Sequence, residues 1–261
     1  MTPPRDHWIA TERGRLFARI WAPPDRSRPR MPTLLLLHDS LGCVELWRDF
    51  PARLAGATGR QAVAYDRLGF GRSDPHPGRL PLSFIQDEAA AIVPTLLEQL
   101  GLGAIVPFGH SVGGAMAVAT AGRLADCCVA AVTLSAQAFV EERTLCGLRE
   151  ARAAFERPGE LARLERYHGP KARWVLDSWL DTWLAPEFVG WSLDDALGQV
   201  RCPLLALHGD RDVYGSPDHA ERIARLARGP SRAVVLEGCG HLPHREQPER
   251  VLDEVARFLG P

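Results

Sequence analysis

The run Thr33-Leu34-Leu35-Leu36-Leu37, ending in His38-Asp39-Ser40, narrows the choice of fold more than any other stretch of the chain. A short unbroken apolar run suits a strand covered on both faces, because side chains pointing either way then meet protein. Similar runs return as QAVAYDR (61–67), AIVPFGHS (104–111), CVAAVTLSA (128–136), CPLLALHGD (202–210) and RAVVLEGCGH (232–241). Helical spacing fills the gaps between them. Between 82 and 100, for example, Ile85, Ala89, Ile92, Leu96 and Leu100 recur every three or four residues. LWRDFPARLAGATG, the alanine-rich run after 111, HAERIARLAR and PERVLDEVARFLG read the same way. Strands alternating with helices imply crossover units and a mostly parallel sheet with helices on both faces. WIATERGRLFARIWAP at the start reads instead as two strands joined near Gly14.

Residues 139–200 interrupt this rhythm. They hold no convincing strand, only short helical stretches punctuated by Pro158, Pro170 and Pro186. The reading is a core in two parts, 1–138 and 201–261, with 139–200 as a helical lid or cap. Functional groups of such sheets gather at the carboxyl ends of the strands, so an insertion there is well placed to cover a pocket.

Composition removes several classes of function. A net charge of −1 gives no reason to invoke nucleic acid or an anionic membrane surface. No apolar run approaches the roughly 20 residues of a membrane helix. The first residues, MTPPRDHWIATERGR, lack the apolar centre of a secretion signal. The six cysteines show no paired spacing, and reduced thiols in a cytoplasmic protein are the expectation.

Gly109-His110-Ser111-Val112-Gly113-Gly114 stands between a predicted strand and a predicted helix and matches G-x-S-x-G. Taken alone, it could be a glycine-rich turn with a helix-capping serine. In a tight strand-to-helix turn, however, small neighbours let the serine backbone strain and push its hydroxyl outward. A serine hydroxyl needs a base to take its proton, and the base needs an orienting carboxylate. HGDRD follows one later strand and GCGH follows the next, so serine, acid and histidine come in the order this arrangement uses.

With these motifs together the chain resembles the α/β-hydrolase family, in its esterase, lipase and C–C hydrolase branch. LLLLHDS, YDRLGFGRSD, GHSVGG, HGDRD and GCGH carry the resemblance over nearly the whole length. It implies a mostly parallel eight-stranded α/β sheet with a helical lid. It also implies a triad of Ser111, Asp212 and His241. Relatives place the acid three residues beyond the strand-end glycine, here Gly209, which selects Asp212 and leaves Asp210 as the alternative. The oxyanion donors it implies are the backbone N–H groups of Ser40 and Val112. Relatives usually carry glycine where Asp39 stands, a departure read here as a turn aspartate with a bearing on specificity left open.

Three further readings complete the picture. His110 is taken as a pocket-wall residue rather than the base, since adjacency in sequence turns it away from Ser111. His241-Leu242-Pro243-His244 resembles a metal pair only superficially, because no cluster supplies further ligands, so no metal or other cofactor is expected. Four of the seven tryptophans fall between 174 and 191. Two readings compete for these tryptophans: packing between lid and body, the default for most of them, and the wall of an apolar substrate cavity, for which Trp179 and Trp183, with Leu41, are the candidates. ARLERYHGPKAR reads as a solvated basic helix face. The expected substrate is a small to medium apolar ester or thioester. The alternatives are C–C bond cleavage by the same triad and a ligand receptor that retains it.

Overall fold

Leu34 and Leu36 point into one apolar layer, and Leu35 and Leu37 into another. The unbroken run is thus a two-faced strand at the middle of a sheet. In the computed structural model, which describes residues 3–23 and 31–260, this strand is β3 (Thr33–Leu37). It follows the hairpin β1 (Arg5–Thr11) and β2 (Gly14–Trp21). After β3 come α1 (Phe50–Thr58), β4 (Ala62–Tyr65), α2 (Phe84–Asp87) and α3 (Val93–Leu100). A π turn, Glu88–Ile92, joins the last two helices. Pro94 has no N–H to offer the turn before it, and the helix expected to run unbroken to Leu100 widens just ahead of it.

The centre of the sheet is built by β5 (Ile105–His110), α4 (Val112–Arg123) and β6 (Ala131–Leu134). Four helices follow: α5 (Glu142–Phe155), α6 (Glu160–His168), α7 (Ala172–Trp183) and the short α8 (Asp194–Leu197). The chain then returns through β7 (Leu204–Gly209), α9 (Asp218–Leu226), β8 (Ser231–Leu236), α10 (Pro243–Glu246) and α11 (Pro248–Leu259).

The eight strands lie in the order β1-β2-β4-β3-β5-β6-β7-β8. β1 and β2 pair antiparallel, β2 meets β4 antiparallel, and every other neighbour is parallel. Phe50 and Leu54 of α1 and Val251 and Val255 of α11 close one face. Leu96, Ala117 and Ile223, from α3, α4 and α9, close the other. From β3 the chain crosses to β4 on one side, whereas β5 lies on the opposite side of β3. The crevice beyond the carboxyl ends of β3 and β5 is where such sheets bind ligands. Ser40 and Ser111 sit at that point. Among the described residues, no helix is long and apolar enough to cross a membrane.

Candidate active site

Ser111 joins β5 to α4 with φ 55° and ψ −126°, a conformation that L-residues adopt only under constraint. Crowding explains why glycines surround it. A Cβ on Gly109 would stand 1.9 Å from the carbonyl oxygen of Gly113, and one on Gly113 would stand 2.1 Å from that of Leu37. The strand end, the helix start and the end of β3 are therefore in backbone contact. Ser111 is 6% exposed, and its hydroxyl donates to Gln137 Oε1 at 3.3 Å. His241 lines the same cleft without taking this hydrogen bond. The hydroxyl is free to rotate, and such bonds are often loose before substrate arrives.

The loops after β7 and β8 bring His241 to Asp212. His241 Nδ1 lies 2.7 Å from Asp212 Oδ2, and the other oxygen accepts from the Tyr214 N–H at 2.8 Å. A second imidazole, His208 Nε2, lies 3.2 Å from Asp212 Oδ2. Burial favours the protonated acid at Asp212. The bonds to His208 and His241 outweigh it and hold the carboxyl below the usual carboxylate range. Asp210, two residues earlier, is exposed. Close passage of the two loops depends on Gly209, where a Cβ would lie 2.2 Å from the Cys239 carbonyl oxygen. Glu246 then pins the histidine loop by accepting from the N–H groups of Gly240 and Leu242, at 2.6 and 3.0 Å.

Asp39 is more than a turn residue. Its Oδ1 accepts from the Leu41 N–H at 2.9 Å, as a turn aspartate would, but Oδ2 lies 3.1 Å from His110 Nδ1. Burial opposes ionisation, yet the hydrogen bond to His110 prevails and lowers the carboxyl below its ordinary range. The other nitrogen of His110 donates to the His241 carbonyl at 2.7 Å, so this ring ties the loop after β3 to the histidine loop. The Asp39 carbonyl accepts from His38 Nδ1 at 2.7 Å, Arg67 Nη2 at 2.9 Å and the Gly42 N–H at 3.2 Å. A trans peptide points its C=O and N–H in opposite directions. Three donors on the Asp39 carbonyl therefore turn the Ser40 N–H the other way, and this loop keeps its orientation without glycine. Neither the Ser40 nor the Val112 N–H has an acceptor among the described residues.

These elements enclose a cleft of about 190 Å³. Of the residues singled out from sequence, Ser111, His241, Ser40, Leu41, Trp179 and Trp183 all line it. Asp212 sits behind His241, and Val112 is the first residue of α4. The helices between β6 and β7 supply Thr144, Leu148, Trp179 and Trp183 to the wall. Trp174 stacks on His76 instead, and Trp191 on Phe188. Gln137, Thr144, Tyr214, Leu148 and Leu242 were not foreseen. For Gln137 one signal existed: it is a polar residue just past the carboxyl end of a strand.

Two other readings can be set against the structure. The basic run 162–173 is not a purely solvated face. His168 accepts from the Gly71 N–H at 2.9 Å and donates to the Leu41 carbonyl at 3.1 Å, while Lys171 Nζ donates to the carbonyls of Gly71 and Ser73 at 2.8 and 2.5 Å. His244 is buried against Trp47 and His110. Among the described residues no cluster could hold a metal ion, and all six cysteines are free.

Residues 34–254 match the model of the alpha/beta hydrolase family, and the chain belongs to that family. It is 28% identical to a Mycobacterium tuberculosis protein named as the hydrolase LipZ, over 97% of this chain and 94% of that one. In structure it resembles an esterase from Thermogutta terrifontis, with TM-score 0.71 and 23% identity over 98% of both chains. It also resembles the naproxen esterase of Bacillus subtilis, with TM-score 0.75 and 19% identity over 99% of this chain and 92% of that one.

Proposed function

We propose that this chain is a serine hydrolase that cleaves small to medium apolar carboxylic esters, or thioesters, through an acyl-enzyme. One observation carries the reading: a serine in a strained strand-to-helix turn on the wall of a cleft that also holds an imidazole bonded to a buried carboxylate. In this mechanism His241 Nε2 takes the Ser111 proton as the oxygen attacks the ester carbonyl. Asp212 keeps the opposite nitrogen protonated and stabilises the imidazolium. The N–H groups of Ser40 and Val112 bind the oxyanion, and the positive end of the twelve-residue α4 adds to that field. His241 then protonates the leaving alcohol. Water, activated by the same ring, releases the acid.

The cleft supports a small apolar acyl group. Its volume of about 190 Å³ falls below the roughly 300–1,000 Å³ usual for drug-sized ligands. Leu41, Leu148, Trp179, Trp183 and Leu242 dominate its walls, with the 139–200 segment acting as the lid. No lining residue among those described is Lys or Arg, which favours esters over the carboxylate-bearing substrates of C–C hydrolases. Named esterases among the structural relatives agree with this reading.

The test is Ser111→Ala. Turnover of a chromogenic short-chain ester and labelling by a fluorophosphonate should both vanish while circular dichroism stays unchanged. Undiminished labelling of the variant would remove Ser111 from the role.

A further inference from the structure

β6 ends at Leu134, and the next residue, Ser135, takes φ 46° although it is not glycine. It is wholly buried and its hydroxyl has no partner, so the strain has no local return. Its effect is to redirect the chain. The Ser135 N–H still donates to the Leu207 carbonyl at 2.8 Å, Ala136 packs against the turn at Gly114, and Gln137 reaches the cleft.

Gln137 is only 3% exposed, yet its amide is half used. Oε1 accepts from Ser111, while Nε2 donates to nothing among the described residues and is not sealed off by protein. Several neighbouring polar groups are already committed. Asp39 uses both oxygens on Leu41 and His110, Thr144 Oγ1 donates to the Tyr214 carbonyl, and His241 Nδ1 faces Asp212. The hydroxyls of Ser40 and Tyr214 also line the cleft, but the Gln137 amide is the free donor carried by the group that already bonds Ser111, in a cleft walled mainly by Leu148, Trp179 and Trp183. A buried donor that a ligand leaves unpaired is costly, and sites built to bond a substrate's polar atom reject analogues that lack it.

We propose that Gln137 is a specificity-determining residue that selects acyl groups carrying a hydrogen-bond acceptor, an ether or keto oxygen, close to the scissile carbonyl. The proposal rests on the serine esterase reading and narrows its substrate class.

The experiment compares phenyl methoxyacetate with phenyl butyrate, which differ by one oxygen in place of a methylene. Each is assayed on the wild type, Gln137→Met and Gln137→Glu. Neither variant offers an N–H at that position. Differences in intrinsic ester reactivity cancel when the methoxyacetate-to-butyrate ratio of kcat/KM is compared between proteins. That ratio should be about ten-fold higher in the wild type than in both variants. A merely structural role, or a role only in orienting Ser111, would slow both esters together and leave the ratio in place. An unchanged ratio in the two variants overturns the proposal. Failure of the underlying reading looks different: the wild type would turn over neither ester and would take no fluorophosphonate label.

Discussion

Asp210 and Asp212 stand two residues apart in HGDRD, and their surroundings separate them completely. Asp212 is buried between two imidazoles, and Asp210 faces solvent. Asp212→Asn should therefore lower kcat by about ten thousand-fold, the order lost when a triad imidazole is held in the wrong tautomer. Asp210→Asn should stay close to the wild type. Steady-state ester hydrolysis checks both, and equal losses would return the acid role to the open alternatives. Family spacing made this pair legible in sequence. Gln137 was only faintly legible: its place just past a strand end was a signal, but its approach to Ser111 depends on β6 lying beside β5 and on the kink at Ser135. The bridge from Asp39 through His110 to the His241 carbonyl was hidden for the same reason. It joins two loops through the last residue of β5, and no local pattern encodes it.

The strands were readable because their chemistry is local: a two-faced apolar run has few alternatives to a buried strand. The helices between β6 and β7 were readable as helices, but not in how they attach. The run 162–173 is basic, and a basic run on a helix is ordinarily solvated. Here α6 ends at His168, Gly169 takes φ 55°, and the chain turns so that His168 and Lys171 both face the body. Lys171, the one lysine among 31 basic residues, holds two carbonyls of the loop after β4. Lys171→Met should leave those carbonyls unpaired and cost about 1–3 kcal/mol of stability, measurable by chemical denaturation. His168 holds the other side of the junction through the Leu41 carbonyl, so these helices are fastened directly to the loop that carries Ser40.

Over the whole molecule, the strand sequence β2-β4-β3-β5 could not be read from the chain, since the alternation of elements says nothing about which neighbours pair. Buried ionisable groups give the molecule a distinctive response to acid. Burial pushes His168 and His219 down to about 4, and His38 and His244 well below their ordinary value. A histidine depressed on folding contributes stability that is complete above its unfolded value of 6.5 and drains away as pH falls toward its folded value. Asp66, raised by burial to about 6, has the opposite sign: its contribution is complete below 3.8 and is lost as pH rises through 6. Glu88, also raised by burial, acts in the same direction as Asp66, and the four depressed histidines oppose both. The melting temperature should fall steadily between pH 6.5 and 4, and a flat profile would contradict neutral, buried imidazoles. The position of the 139–200 stretch has a consequence of another kind. Ser111, Asp212, His241 and the Ser40 amide all lie outside it, whereas Thr144, Leu148, Trp179 and Trp183 all lie within it. On the proposed reading, exchanging 139–200 would remodel one side of the cleft wall, while Leu41, Gln137 and Leu242 and the groups assigned to the reaction would be inherited unchanged.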